Sequence, residues 1–131
     1  MNRMIRHLLV GLGVSALGLL LLGVAICKAW GQDCREGDFG CQHQQYHHEY
    51  KTWRASDGGS CCNDSECRPT RARPTESSPS GWEAWVEGAW RQVPLRALLP
   101  PDRLKDGRSH VCSPAYNPDV IYCFSPAHMK M

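Results

Sequence analysis

The density of cysteine is the feature that most constrains the fold of this chain. Eight cysteines occur in 131 residues, and seven follow a long apolar segment near the N terminus: Cys34, Cys41, Cys61, Cys62, Cys67, Cys112 and Cys123. The roughly one hundred residues that carry them bury little surface, so covalent cross-links matter for stability. The Cys-x2-Cys spacing of zinc knuckles and thioredoxin-type redox motifs is missing. The spacing therefore favours structural disulfides.

The odd number of cysteines leaves the pairing open. One cysteine is left over, bonds another chain, or bonds Cys27 if the N-terminal segment is retained, and connectivity cannot be deduced from spacing. Adjacent Cys61 and Cys62 should face different partners, because a bridge between them strains the intervening peptide. The pairing hypotheses are Cys34 with Cys41, Cys112 with Cys123 across a hairpin, and Cys67 with Cys61 or Cys62.

The first residues indicate export. A basic start with Arg3 and Arg6 precedes an uncharged apolar run at residues 8–26, which is the order of regions in a secretory signal. At about 1.5 Å per residue this run reaches roughly 28 Å, just enough to cross a bilayer core. We expect residues 1–29 to be a cleaved signal peptide or a retained membrane anchor, with lipidation of Cys27 as a third alternative.

Export defines the compartment and the classes of partner. We expect a periplasmic or secreted protein, attached to the inner membrane only through residues 8–26 if they stay uncleaved. The formal net charge of +2 comes from the basic residues of the targeting segment, so the exported part is close to neutral. A near-neutral domain has no electrostatic footprint for nucleic acid, and none is expected as a partner.

Composition divides the rest of the chain. Residues 30–40 are predicted as a linker, residues 41–126 as a small disulfide-rich α+β domain, and residues 127–131 as a tail. The fold expected is an antiparallel β-sheet of about four short strands with one amphipathic helix, preceded by the hydrophobic N-terminal signal or anchor helix. Residues 68–81 are rich in Pro, Ser and Thr and predict an exposed loop. The arginines Arg68, Arg71 and Arg73 would be solvated there.

A helix is predicted within residues 41–55, which contain no Gly or Pro and end at a Gly-rich turn. Its aromatic residues Tyr46, Tyr50 and Trp53 would share one face and pack on the core, because their spacing matches the helical repeat.

Two histidines of this helix are candidate metal ligands. His43 and His47 lie four residues apart and would share a face, where they could hold zinc or copper together with the odd cysteine. Their order is not the His-Glu-x-x-His order that places a general base for hydrolysis. A polar helix face is the simpler interpretation. We therefore expect no cofactor, with zinc or copper as the alternative.

Residues 82–93 predict a β-hairpin that turns at Glu87-Gly88 and places Trp85 opposite Trp90 on one face. If that face is open, the two indole rings could bind a sugar or a protein. The simpler alternative is that they fill a thin core. A second strand pair is expected from "SHVC" and "VIYCF".

An ordered set of motifs supports a resemblance. The segments "CCNDSECRP", "GWEAWVEGAW", "DGRSHVC" and "YCF" together resemble a group of small, uncharacterised exported bacterial proteins that are rich in cysteine. The matched part covers about residues 50–126. The resemblance implies an exported domain and no particular activity. Cys34 and Cys41 fall outside the matched part, which implies that they pair with each other.

No catalytic constellation is visible. The chain has no Gly-rich phosphate loop and no hydrolase elbow, and His110 could activate Cys112 only if that cysteine were not bridged. The sequence predicts a non-enzymatic, disulfide-stabilised domain of the bacterial cell envelope that binds another protein or a wall component. The alternatives are a periplasmic metal-binding protein using the helical histidines, and a thiol–disulfide enzyme working through Cys61 or Cys62.

Overall fold

The computed structural model describes residues 34–62 and 66–128. The predicted signal or anchor at residues 1–29 lies outside these ranges, as do Cys27 and the end of the predicted tail. Within the described ranges, no helix has the length and apolar character needed to span a membrane. The compact unit begins at Cys34, and it includes the later residues of the segment predicted as a linker.

Helix α1 spans His43–Tyr50, inside the range predicted for it. It ends in a tight turn, in which the amide of Trp53 donates to the carbonyl oxygen of Tyr50 at 3.0 Å. The predicted aromatic face is present: Tyr50 and Trp53 are fully buried, with ring centroids 5.1 Å apart, and the half-buried Tyr46 packs beside them. This aromatic face packs the helix against the strands that carry Cys67, Cys112 and Cys123.

The described residues contain six short strands in two three-stranded sheets. The strands are β1 Cys67–Thr70, β2 Ala72–Pro74, β3 Trp82–Val86, β4 Ala89–Gln92, β5 Ser109–Cys112 and β6 Cys123–Ser125. One sheet has the order β1-β5-β6 and the other the order β2-β3-β4, and all neighbouring strands are antiparallel. The predicted small antiparallel α+β class is therefore confirmed, with two sheets in place of one.

The predicted hairpin has the expected register. Trp85 pairs with Trp90, and Glu87 and Gly88 form the turn with φ angles of 47° and 77°. Positive φ at both central residues is what a two-residue hairpin turn requires. The second predicted strand pair is also present, as β5 and β6.

The prediction of an exposed loop over residues 68–81 is wrong for the first half of that segment. The chain up to Pro74 forms β1 and β2, and Arg68 and Thr70 are buried. Both strands lie at the edges of their sheets, where a proline breaks no ladder hydrogen bond. Pro69 and Pro74 are therefore compatible with strands, and composition alone was misleading.

Two clusters of buried side chains form the core. The aliphatic cluster centres on Val86, Val111, Ile121 and Phe124. The other cluster combines aromatic rings with sulfur, and its buried members are Tyr50, Trp53, Cys61, Cys62, Cys67, Leu99, Cys112 and Cys123. Disulfides therefore occupy core volume that aliphatic side chains fill in larger domains.

The structure contains three disulfides: Cys34–Cys41, Cys61–Cys123 and Cys67–Cys112. The first matches its hypothesis, and the two hypotheses that joined Cys112 to Cys123 and Cys67 to Cys61 or Cys62 are wrong. Cys112 lies on the central strand β5, opposite Cys67 on one side and Cys123 on the other. It bonds Cys67, and Cys123 reaches Cys61 outside the sheet.

Arg68 is a buried cation that joins separate segments of the chain. Its Nε donates to the carbonyl oxygen of Gly37 at 2.9 Å, and its Nη1 donates to those of Glu66 and Ser113 at 2.7 and 2.8 Å. Its Nη2 lies 3.3 Å from the carboxylate of Glu87. Burial lowers the pKa of the Arg68 guanidinium, and Glu87 offsets part of that effect. The expectation of a solvated Arg68 is therefore wrong.

Gly37 holds the first described residues against the sheets. Its amide donates to the carbonyl oxygen of Pro69 at 2.9 Å, and its own carbonyl accepts from the amide of Glu87 at 3.2 Å. Its φ is +92°, and a Cβ at this position would overlap the carbonyl oxygen of Trp85. Only glycine fits this close approach.

Candidate metal centre

Helix α1 directs two histidines to one side. His43 is 1% exposed and His47 is half-buried, and the Nε2 atom of His43 lies 2.8 Å from the Nδ1 atom of His47. Residues four apart lie one above the other on a helix. The structure thus brings together the two histidines that the sequence singled out.

The His43 ring is oriented by the main chain of β1. Its Nδ1 lies 2.6 Å from the carbonyl oxygen of Cys67. A carbonyl oxygen only accepts hydrogen bonds, so Nδ1 must carry the hydrogen, which leaves a lone pair on Nε2 of the neutral ring. Metal-binding histidines are commonly fixed in this way, with the second ring nitrogen donating to a carbonyl or carboxylate.

Cys62 supplies a third donor beside the histidines. Its Sγ lies 3.9 Å from Nε2 of His43, the residue is 7% exposed, and it takes part in none of the three disulfides. The adjacent Cys61 bonds Cys123, so the two neighbouring cysteines serve different partners, as expected. Donor atoms of His43, His47 and Cys62 all lie within 4.8 Å of one another.

The spacing of the donors suits a transition-metal ion. An ion bonded at about 2.0 Å to nitrogen and about 2.3 Å to sulfur holds these atoms about 3.3–3.7 Å apart. The distance of 3.9 Å between His43 and Cys62 is close to that range. The distance of 2.8 Å between the histidines is shorter, and a small rotation of the half-buried His47 ring would open it.

The chemistry of the cluster narrows the ions that it could hold. Among the described residues the group contains two imidazoles and one sulfur and no carboxylate. Magnesium and calcium require oxygen ligands, whereas imidazole and thiolate donors suit zinc and copper. Sequence spacing identified the histidine pair. Assigning Cys62 to it required the three-dimensional structure, because the segments are distant in sequence.

A second buried histidine supports the helix without joining the cluster. The hydroxyl of Tyr50 donates to Nδ1 of His110 at 2.7 Å, and Nε2 of His110 donates to the carboxylate of Asp106 at 3.0 Å. Burial lowers the pKa of His110, and Asp106 opposes this in part. Burial alone would raise the pKa of Asp106, but hydrogen bonds from His110 and from the amide of Arg108 help to bring it below its usual value. The network links α1 to β5.

This network predicts a pH-dependent stability. Unfolded His110 takes up a proton near pH 6.5, whereas the folded residue does so only at lower pH, because its pKa is lowered. The unfolded state then binds more protons, so the free energy of unfolding should fall as the pH drops below about 6.5. The slope from this one residue can reach about 1.4 kcal/mol per pH unit. Urea unfolding between pH 7.5 and 5.5 measures it.

The His110→Gln variant is the control for that slope. It should be less stable at every pH, since the buried Tyr50 and the half-buried Asp106 lose a partner, but its stability should decline less steeply below pH 6.5. Equal slopes for the variant and the parent chain would contradict the assignment to His110.

Trp85 and Trp90 lie on the outer face of the hairpin. Both are half-buried, their ring centroids are 5.3 Å apart, and neither belongs to a core cluster. The guanidinium of Arg71 lies 4.5 Å from the Trp85 centroid, and that of Arg73 lies 4.3 Å from the Trp90 centroid. The interpretation that these rings fill a thin core is therefore wrong. Their role in binding a protein or wall component stays a prediction.

The cysteines that the sequence suggests as reactive thiols, Cys112 and Cys61, are both in disulfide bonds. Cys112 bonds Cys67, so His110 has no thiolate beside it to activate, and its ring nitrogens contact Tyr50 and Asp106 instead. Cys61 is fully buried in its bridge to Cys123.

Comparison with known proteins adds no family to this description. No family model matches the chain, no curated protein matches it, and no solved structure matches it.

Proposed function

We propose that this chain is an exported, disulfide-stabilised protein of the bacterial cell envelope that binds one transition-metal ion. The ligands would be His43 Nε2, His47 Nδ1 and Cys62 Sγ. The observation that carries the proposal is the convergence of these three donor atoms within 4.8 Å of one another. The sequence alone favours binding of a protein or wall component. A third donor beside the two histidines now favours the metal-binding alternative.

The environment of the donors supports the proposal. His43 is held by the carbonyl of Cys67, whose sulfur is locked to Cys112. Cys62 follows Cys61, which is locked to Cys123. Two of the three donors therefore adjoin a disulfide of the core. A ligand set held this firmly loses little conformational entropy when an ion binds, which favours affinity.

The disulfides also support the proposed compartment. Three bridges in so small a domain fit an oxidising environment such as the periplasm or the cell exterior. Export through residues 1–29 and a location in the cell envelope remain part of the proposal.

Metal analysis of variants tests the proposed site. The exported protein, purified without a histidine tag, is dialysed against a small molar excess of zinc or copper, then against metal-free buffer, and is analysed for bound metal. We expect about one ion per chain for the parent protein. His47→Ala and Cys62→Ser each remove one donor, and each should weaken binding at least about 100-fold, a loss at the upper end of that seen when a mere supporting group is removed.

His48→Ala is the matched control. His48 lies on the same helix, but its side chain is 71% exposed and it is not a member of the donor cluster, so this variant should bind metal like the parent. Circular dichroism of each variant checks that the fold is retained. The proposal fails if the folded parent protein binds less than about a tenth of an ion per chain, or if losing His47 or Cys62 leaves binding unchanged.

A further inference from the structure

We infer that the ion held by His43, His47 and Cys62 is copper(I), in a three-coordinate centre without net charge. This inference rests on the proposed function and deepens it by naming the metal and its oxidation state.

The donor set favours a soft ion. One sulfur and two imidazole nitrogens converge, and the group includes no carboxylate among the described residues. Soft sulfur ligands select copper(I), and imidazole is a good ligand for copper as well as for zinc. Magnesium and calcium depend on oxygen ligands, and none of the three side chains in this group supplies one. The choice is therefore between copper(I) and zinc.

Burial makes net charge the deciding quantity. His43 is 1% exposed and Cys62 is 7% exposed, so an ion between them is largely removed from water. Copper(I) with one thiolate and two neutral imidazoles has no net charge, whereas zinc with the same ligands retains one positive charge. An uncompensated charge in a low-dielectric site is costly, and this cost acts against zinc.

The number of ligands also favours copper(I) over zinc. Zinc in proteins is almost always bound by four ligands in structural sites, or by three plus a water in catalytic sites. The cluster offers three donor residues, and the side of it formed by His43 and Cys62 is closed to solvent. Copper(I) is satisfied by three ligands, so it needs no water at this place.

The protons balance in a simple way. When copper(I) binds, the sulfur of Cys62 coordinates as a thiolate, and one proton is released to solvent. With the hydrogen of His43 on Nδ1, its Nε2 can only accept, so the contact to His47 places a hydrogen on His47 Nδ1. When the ion binds, that proton moves to Nε2 of His47 and frees Nδ1 for the metal. His43 keeps its proton on Nδ1, bonded to Cys67. The oxidation state of copper does not change.

Anaerobic titration tests the inference. Copper(I), supplied as its acetonitrile complex without added thiols, is titrated into the disulfide-bonded protein against a chromophoric copper(I) chelator. We expect one copper per chain, and X-ray absorption should report two nitrogen neighbours and one sulfur. A thiolate alone also binds copper(I), so the decisive variant is His47→Ala, which should weaken binding at least about 100-fold, as expected above for the loss of one ligand. His48→Ala should leave it unchanged.

Zinc binding, measured with a chromophoric zinc indicator, distinguishes a failure of the copper(I) inference from a failure of the proposed metal-binding function. If zinc binds as tightly as copper(I) and both depend on His47, the copper(I) inference is overturned while metal binding at this cluster survives. If copper binds without any contribution from His47, the proposed three-ligand site fails together with the inference. If neither ion binds the folded protein, the proposed function falls together with the inference.

Discussion

Replacing both Cys61 and Cys123 with alanine is expected to lower the free energy of unfolding by about 4 kcal/mol. The bridge closes a loop with a sequence separation of 62 residues, and the chain-entropy estimate for a loop of that length is close to this value. Both cysteines are fully buried in the aromatic and sulfur cluster, so the loss of packing adds to the effect. Guanidinium unfolding monitored by tryptophan fluorescence measures it.

The Cys34→Ser, Cys41→Ser variant is the matched comparison. Its bridge spans only seven residues, and the same estimate gives about 2 kcal/mol. Cys34 is exposed, and although Cys41 is buried, neither residue belongs to a core cluster, so less packing is lost than at Cys61 and Cys123. If the short bridge proved as important as the long one, the idea that the buried cross-links hold the core together would be refuted.

The Arg68→Met variant is expected to lose about 3–5 kcal/mol of stability, the usual cost of removing one partner of a buried ionic network. Methionine fills similar space but has no donors. The carbonyl oxygens of Gly37, Glu66 and Ser113 would lose their hydrogen bonds, and Glu87 would lose its cation. Thermal and chemical unfolding should both report the loss.

Arg71→Met controls for the general effect of removing an arginine from this segment. Arg71 is exposed and lies over the ring of Trp85, a contact that contributes about 0.5–1 kcal/mol. The variant should therefore cost no more than about 1 kcal/mol. A comparable loss for Arg68→Met would show that the buried guanidinium is not a structural centre of the domain.

The parts of the fold that depend on short-range patterns could be predicted from the sequence. The Trp85–Trp90 register followed from alternation around a two-residue turn. Helix α1 followed from a stretch without Gly or Pro that ends at a Gly-rich turn, and its buried face followed from the spacing of the aromatic residues. The histidine pair followed from the same helical repeat. In each case the residues that decide the structure lie within a few positions of one another.

The parts that depend on distant segments could not be predicted. Arg68 is buried because carbonyl groups from separate stretches of chain converge on it. The residues next to Arg68 in the sequence do not indicate these distant partners. Cys112 has a cysteine opposite it on both neighbouring strands, so the sequence leaves the choice between them open. Cys62 meets His43 only after the helix has docked on β1.

Cys67 performs two tasks with two different atoms. Its sulfur closes a bridge to Cys112, while its carbonyl oxygen positions the ring of His43. The geometry of the proposed centre therefore depends on disulfide formation. With the bridge between Cys67 and Cys112 reduced, the strand that carries this carbonyl would hold the His43 ring less firmly, and the proposed ligand set would lose part of its preorganisation.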